Sequence, residues 1–220
     1  MDDPITLKEF HRLAGDDWRV LSEGAFARYG TGSFAAGAAF AAAVATLEGL
    51  DRARPDLEIR HDSVTVRLLT MTDGDWGMSL RDLDMARRIS GLARDHGFTA
   101  DPSALQTLLV IPGAPDISAV TPFWRAVLGY VPRADSPEED LVDPHDRGPS
   151  FWFERMDEPA PGGGGAIHLS VWVPWDRVEE RIGAALAAGG RMVRDRGPAW
   201  WTLADAAGNE VDISTTVGRD

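Results

Sequence analysis

The sequence predicts an α+β fold, and three patterns along the chain support this prediction. Residues 64–70 and 167–173 alternate in side-chain character, which is typical of strands whose two faces differ. Residues 33–47 carry apolar side chains at spacings of three and four, which is typical of a buried helix. Residues 104–217 contain a weak repeat, in which a strand, a helix and later strands occur twice. We therefore expect a mixed first half and a duplicated second half.

The composition limits the class of protein and its partners. The chain has 220 residues, no cysteine and a net charge of −13. The length suffices for two domains of about 100 residues each, and the lack of cysteine excludes disulfides, thiolate metal sites and cysteine nucleophiles. The negative charge argues against nucleic acid or an anionic membrane as a partner, since either requires a basic face. No apolar run reaches the length of a membrane span and no basic signal region is visible, so we expect a cytoplasmic protein.

Turn and capping residues delimit the elements of the first half. Ser79 and Asp82 form a capping box, with Asp in the place of the usual Glu, and Ser33 is a good N-cap for the long apolar helix. The predicted elements are a short helix at 7–13, a hairpin within 17–29, a helix from 33 to 54, strands at 57–61 and 64–70, and a helix from 79 to about 96.

The domain boundary is predicted where this last helix gives way to a polar run. We expect a first domain of residues 1–98, a linker at 99–103 and a second domain of residues 104–220.

The first half contains the scaffold motifs of a known enzyme family. Residues 51–57, the strand at 64–70 and residues 77–86 resemble the pterin-4a-carbinolamine dehydratases. The resemblance covers roughly residues 7–97 and implies that this half is an α/β sandwich. It also implies self-association, so we expect a homo-oligomer.

The catalytic motifs of that family are not retained. In the family, a His-His-Pro-Asp/Glu motif and a later Thr/Ser-His dipeptide supply the catalytic imidazoles; the matching positions here are Ala53, Arg54 and Met71. Dehydration of a carbinolamine needs groups that exchange protons near neutral pH. Alanine and methionine do not titrate, and arginine stays charged. We therefore expect pterin dehydratase activity to be lost, with a residual 4a-hydroxytetrahydropterin dehydratase as the alternative.

The second half contains two copies of a β-α-β-β-β unit. A Pro- and Gly-rich run at 159–165 links the copies. The first copy is predicted as a strand at 105–112, a helix at 118–128 and a strand at 149–155, and the second as a strand at 167–174, a helix at 176–188 and strands at 200–204 and 210–214.

The strand that opens the second copy has one polar face. His168, Ser170 and Trp172 share this face, and Glu210 and Asp212 share the corresponding face of a later strand. A His and a Glu on neighbouring strands could hold a divalent metal. The alternative is a partly buried His with a surface carboxylate.

Two signatures identify the family that this half resembles. Residues 122–130 and 203–210 are similar to motifs of the vicinal-oxygen-chelate domains, the glyoxalase and bleomycin-resistance group. The resemblance implies sheets curled around one cavity, with metal ligands on matching strands. The ligands that it suggests are Gln106, Glu154, His168 and Glu210, which suit Ni, Zn, Mn, Fe or Co. Another alignment of the two copies places Leu108 at the position of Gln106. Many members of this fold lack the metal, so a metal-free pocket is the alternative.

These resemblances favour a small-molecule lyase or isomerase, of bacterial specialised metabolism, that uses the second-half cavity. His168, Glu210 and Glu154 are its predicted catalytic residues, with Glu154 or Asp212 moving a proton. Ser170, Trp172 and Asp212 are its predicted substrate contacts, and Trp172 could stack on a planar ligand. The alternative is a non-catalytic protein that binds a small molecule such as an antibiotic. The sequence predicts neither the substrate nor the pathway.

Overall fold

The computed structural model of the chain describes residues 3–72, 75–156, 166–204 and 210–219. The chain divides into two compact units, residues 1–106 with 216–220, and residues 107–215. The predicted link at 159–165 and residues 205–209 of the second signature lie outside the described residues.

The first unit contains four helices and eight strands within the described residues. They are β1 (Pro4–Ile5), α1 (Leu7–Ala14), β2 (Arg19–Leu21), β3 (Gly24–Gly30), α2 (Phe34–Val44), α3 (Leu50–Ala53), β4 (Asp56–Ile59), β5 (Ser63–Leu68), β6 (Thr70–Thr72), β7 (Asp75–Ser79), α4 (Leu80–Asp95) and β8 (Thr99–Ala100). A short 3-10 helix, Pro102–Ala104, follows. The strands form one sheet in the order β2-β3-β5-β4, with β8 beside β3, and a second sheet in the order β1-β7-β6.

Capping residues explain where these helices begin. The Ser33 hydroxyl accepts a hydrogen bond from the Ala36 amide, and Ser79 and Asp82 cap each other at the start of α4, as predicted. The predicted helix from 33 to 54 is wrong in its extent, because α2 ends at Val44 and α3 is a separate turn. Gly49, at a φ of 84°, lies between them in the left-handed conformation that interrupts a helix.

The linker between the two domains, placed at 99–103 from the sequence, stays a prediction. In the structure Thr99 and Ala100 pair with β3, and the Asp101 carboxylate caps the 3-10 helix that follows. The C-terminal Thr216 belongs to the same unit, and its hydroxyl donates to the Val20 carbonyl at 3.4 Å.

Phe40 lies at the centre of the first unit's core. Its ring is fully buried and makes edge contacts with Tyr29 and Phe98 at centroid distances of 5.6 Å. One turn before it, Gly37 lets α2 approach the sheet, because a Cβ there would lie 3.0 Å from Val64 Cγ2. A larger residue at position 37 would therefore push α2 away from the sheet.

The second unit contains two helices and nine strands within the described residues. They are β9 (Thr107–Ala114), α5 (Ile117–Leu128), β10 (Val131–Pro132), β11 (Asp140–Val142), β12 (Ser150–Trp152), β13 (Glu154–Arg155), β14 (Ala166–Trp172), α6 (Val178–Ala187), β15 (Arg191–Arg196), β16 (Trp200–Ala204) and β17 (Glu210–Ser214). A 3-10 turn, Trp175–Arg177, precedes α6.

These strands form a single sheet with an internal symmetry. The order is β10-β11-β12-β9-β14-β17-β16-β15, with β13 continuing along β9. In the first copy β12 pairs in parallel with β9, and in the second copy β17 pairs in parallel with β14. The opening strands of the two copies, β9 and β14, pair antiparallel. The predicted duplication is confirmed. The expected pair of sheets is replaced by one continuous sheet, and three of its strands, β10, β11 and β15, are absent from the prediction.

One face of this sheet is apolar and carries both helices. Val110 and Phe151 pack with α5 in one cluster, and Val211 and Leu203 pack with α6 in another. Because side chains alternate along each strand, the opposite face carries the polar set that includes His168. The packing of the helices therefore fixes which face is left for a site.

We expect Phe40→Ala to lower the free energy of unfolding by about 3–5 kcal/mol, because the buried ring is lost and a cavity remains. Phe34→Ala is the matched control on the same helix, since its ring is 57% exposed, and it should cost about 0.5 kcal/mol or less. Urea denaturation of the full chain measures both. Equal losses would contradict the assignment of Phe40 to the core.

Candidate functional site

His168 lies on β14 and faces a carboxylate of the neighbouring strand. Its Nε2 atom is 3.5 Å from Asp212 Oδ2 on β17. The other oxygen, Asp212 Oδ1, accepts a hydrogen bond of 2.6 Å from the Thr202 hydroxyl on β16. Three neighbouring strands thus contribute one residue each to a connected chain of polar groups.

Strand register brings these three residues together. Asp212 is directly opposite Thr202 on one side and Ser170 on the other. Residues that are directly opposite on paired strands present their side chains on the same face. His168 lies two positions before Ser170, so its imidazole shares that face and reaches back to Asp212.

The pairing shifts the pKa values of His168 and Asp212 in the directions that are expected for an ion pair. The hydrogen bond that His168 donates to Asp212 raises the pKa of His168 above its usual 6.5, against the opposing effect of partial burial. Charges on Glu154 and Glu210 raise it further. Burial acts to raise the pKa of Asp212, but hydrogen bonds from His168 and Thr202 outweigh it and the pKa lies below 3.8. His168 therefore holds a proton more firmly than a free imidazole does.

Glu210 is held by an arginine that the sequence analysis did not single out. Arg194 Nη1 donates to Glu210 Oε2 at 3.1 Å. Arg194 lies on the edge strand β15, directly opposite Thr202, so its side chain crosses above β16 to reach β17. A register shift between Met192 and Arg194 sets this orientation. Such a shift leaves no signal in a single sequence, which explains why the pairing was missed.

Glu154 lies near the same end of the sheet. It pairs with Gly113 on β9, and Gly113 is also opposite Ala166, two residues before His168. Its charge acts on the pKa of His168. Glu154, Glu210 and Asp212 thus all act on the pKa of one imidazole. Their predicted roles in catalysis stay predictions.

Gln106 is not brought to this site. It precedes the first residue of β9, whereas His168 is opposite Ile111, five residues further along that strand. At about 3.3 Å per residue this separation is about 17 Å, beyond the reach of a glutamine side chain. The repeat alignment that suggested Gln106 is therefore corrected by the strand register.

Ser170 and Trp172 form a closed end of the polar face rather than an exposed contact surface. The hydroxyl of Ser170 is hydrogen-bonded to that of Ser214 at 2.9 Å, and Ser170 is 3% exposed. Trp172 is 8% exposed. Both side chains are thus buried in this structure, and their role as substrate contacts stays a prediction. His168 and Asp212, with side chains 27% and 16% exposed, stay accessible.

Comparison with protein families matches both units. Residues 3–92 match the pterin 4 alpha carbinolamine dehydratases, and residues 109–214 match a glyoxalase-like domain. The chain is a fusion of these two domains. The first unit is accordingly called the dehydratase-like domain below, and the second the glyoxalase-like domain.

Solved structures with similarity to the chain are distant. A NAD-dependent benzaldehyde dehydrogenase from Legionella pneumophila is 16% identical, with 49% of this chain and 97% of that chain covered at a TM-score of 0.38. A glyoxalase/bleomycin resistance protein/dioxygenase superfamily member from Vibrio splendidus 12B01 is 15% identical, with 50% and 99% covered at 0.33. Protein ATC0852 from Agrobacterium tumefaciens is 22% identical, with 50% and 96% covered at 0.24. Comparison with curated proteins gives no significant match.

The donor set of the glyoxalase-like domain does not fit a metal centre. Domains of this family often bind divalent metals. Here Glu210 is paired with Arg194, His168 Nε2 faces Asp212, and Gln106 is remote. Across the described parts of the chain, no group of three or more His, Asp or Glu side chains is placed to hold a metal ion. The chemistry derived below therefore uses side chains alone.

The dehydratase-like domain lacks imidazoles at its motif positions. Ala53 is buried at the end of α3, and Arg54 has a φ of 43° with its Nε donating to the Asp51 carbonyl at 3.3 Å. Met71 lies on β6, and its side chain is outside the described set.

In the described part of the chain no helix is long and apolar enough to cross a membrane.

We expect His168 to titrate above pH 6.5 and Asp212→Asn to lower its pKa, since the mutation removes the negative partner. The pKa is raised by folding, so the contribution of this pair to stability is complete below about pH 6.5. It should be lost as the pH rises through the pKa of the folded state. An NMR titration of the imidazole carbon-bound protons measures both states. An unchanged pKa in Asp212→Asn would contradict the pairing.

Proposed function

We propose that the glyoxalase-like domain is a small-molecule lyase or isomerase, in which His168 transfers the proton. The observation that carries this proposal is the half-buried His168–Asp212–Thr202 chain on the polar face of the sheet. A positioned imidazole that titrates near neutral pH is the most common general acid–base group in enzymes. Asp212 orients the ring and stabilises its protonated form.

The geometry assigns separate tasks to the two ring nitrogens. Nε2 faces Asp212, which leaves Nδ1 for the substrate. In the proposed step, Nδ1 removes a proton from a carbon next to a carbonyl, and the C–H electron pair moves into an enolate. In an isomerase that carbon also carries a hydroxyl, whose proton moves to the enolate oxygen. His168 then returns the carbon-bound proton to the former carbonyl carbon, so that the carbonyl and the hydroxyl exchange places. In a lyase the enolate electrons expel a leaving group, which takes up the proton.

Neighbouring charges support this proton cycle. Glu154 and Glu210 favour the imidazolium that forms when Nδ1 accepts a proton. Arg194, which is paired with Glu210, places a positive charge on the same face, and positive charge stabilises a developing enolate oxygen. The residues that act directly are thus His168 and Asp212, with Glu154 as the candidate for passing the proton to solvent.

We also propose that the dehydratase-like domain has lost its original activity. The motif positions carry a buried alanine and an exposed arginine, and neither can exchange a proton near neutral pH. The proposal leaves this domain as a scaffold that assembles the protein, for which a homo-oligomer is the form expected from the family resemblance. A bacterial origin in specialised metabolism and a cytoplasmic location stay predictions.

Proton transfer can be detected without knowing the natural substrate. We expect the wild-type chain to exchange carbon-bound hydrogen for deuterium in one or more members of a panel of hydroxyketones and 2-oxo acids. His168→Ala should abolish this exchange, because general acid–base catalysis is worth about 10²–10⁴ in rate, and Asp212→Asn should slow it. Proton NMR in D₂O measures the rates.

His61→Ala is the matched control, since His61 is an exposed imidazole in the other domain. Exchange that continues unchanged in folded His168→Ala would refute the assignment of His168. Tight binding of a panel member with no exchange would favour the non-catalytic binding protein instead.

For the dehydratase-like domain, we expect 4a-hydroxytetrahydropterin to lose water no faster with the purified chain than in buffer. Absorbance spectroscopy of the pterin follows the reaction, and a dehydratase with an intact His-His-Pro motif serves as the positive control. Turnover that scales with the concentration of the chain would show that the original activity persists.

A further inference from the structure

Three arginines of β15 lie on the same face of the sheet as His168. Arg191, Arg194 and Arg196 are opposite Ala204, Thr202 and Trp200 of β16. Thr202 is in turn opposite Asp212, which fixes this face as the polar one. We infer that the site takes a substrate with an anionic group, a carboxylate or a phosphate, which Arg191 binds while Arg194 neutralises Glu210 beside it.

The irregularity in β15 is what aligns these side chains. Arg191 and Arg194 are three residues apart, so a regular strand would direct them to opposite faces. The register shift between Met192 and Arg194 inserts one extra residue and returns both to the same face. Met192 and Asp195 are left on the other face. The strand is thus positive on the side of the site and not on the other.

Arg191 is at the same level of the sheet as His168. Its partner Ala204 is opposite Glu210. Glu210 is one position before Val211, which is opposite Leu169, so Glu210 and His168 are also level. Three strand spacings of about 4.8 Å separate Arg191 from His168 in this row. An anion held by the long Arg191 side chain could therefore lie close enough to His168 to affect its imidazole.

The residue between Arg191 and Glu210 in this row is small and itself buried. Ala204 contributes only a methyl group to the row between Arg191 and Glu210. An arginine on β15 is long enough to reach β17, because Arg194 contacts Glu210 across β16. That contact also neutralises the carboxylate that would otherwise repel an anion near Arg191.

Arg191 and Arg196 have no ion pair among the residues that the structure describes, and both are exposed. Within the described ranges, two guanidinium groups on one face of a chain with a net charge of −13 thus lack a carboxylate partner. Guanidinium groups bind carboxylate and phosphate through paired hydrogen bonds. Charge on an edge strand also discourages aggregation, but that role does not require three like charges on one face.

This inference rests on the proposed function, because it names the substrate class of the same site. The probes are pyruvate, which carries a carboxylate, inorganic phosphate, and methyl pyruvate, which is a neutral analogue of pyruvate. Each is titrated into the full chain at constant ionic strength, and the imidazole resonances of His168 are followed by NMR. Pyruvate or phosphate should shift these resonances, and methyl pyruvate should bind more weakly.

Arg191→Gln should weaken binding of the anionic probe by roughly tenfold or more, as expected for a charged hydrogen bond. Arg191→Lys should retain part of the affinity, because it keeps the charge and loses the paired geometry. Arg177→Gln is the matched control, since Arg177 lies at the start of α6 and pairs with Glu180. It removes the same charge and should leave binding unchanged. Which of the two anions binds more tightly distinguishes a carboxylate from a phosphate substrate.

Three results would overturn the anion site: equal binding of pyruvate and methyl pyruvate, equal loss in Arg191→Gln and Arg177→Gln, or no anion-induced shift at His168. A failure of the anion site can be distinguished from a failure of the proposed proton-transfer function. If neutral ketones exchange through His168 and anions show no preference, only the anion site is wrong. If Arg191-dependent anion binding occurs without any exchange, the proton-transfer function is wrong and the anion site stands.

Discussion

The antiparallel pairing of β9 with β14 is the interaction on which the glyoxalase-like domain depends. This ladder runs from Thr107 opposite Trp172 to Gly113 opposite Ala166 and joins the two copies of the repeat. Each copy then adds its remaining strands outward in mirrored order. Because α5 and α6 cover the same face, the other face collects polar side chains from both copies. The site exists because one continuous sheet has two chemically different sides.

Charge pairing on that polar face decides what chemistry is available. A guanidinium or an imidazole competes with a metal ion for the oxygens of a carboxylate. In this domain Arg194 engages Glu210 and His168 engages Asp212. The same residue types that suggest a metal centre in the sequence thus form ion pairs in space. The pairing instead supplies an oriented imidazole, with a raised pKa and positive charge nearby.

The dehydratase-like domain illustrates a scaffold that persists without its catalytic side chains. Its capping box, its hairpin and the close approach at Gly37 depend on backbone geometry and on a buried core around Phe40. None of these features requires the imidazoles of the family motif. The fold can therefore be retained when Ala53 and Arg54 occupy the motif positions, since packing and proton transfer place separate demands on the sequence.

The sequence by itself determined the two domains, most helix limits and the polar face of β14, because periodicity and capping are local properties. It also offered His168, Glu154, Glu210 and Gln106 as one candidate set and Asp212 as a substrate contact, and the functional roles of His168, Glu154, Glu210 and Asp212 stay predictions. Only the tertiary structure decided that Gln106 is remote, that Ser170 and Trp172 are closed off, and that Arg194 reaches Glu210. Those outcomes depend on strand register and on one irregularity in β15, which arise from pairing between distant segments. A single sequence contains the residues of such a pairing but not its alignment.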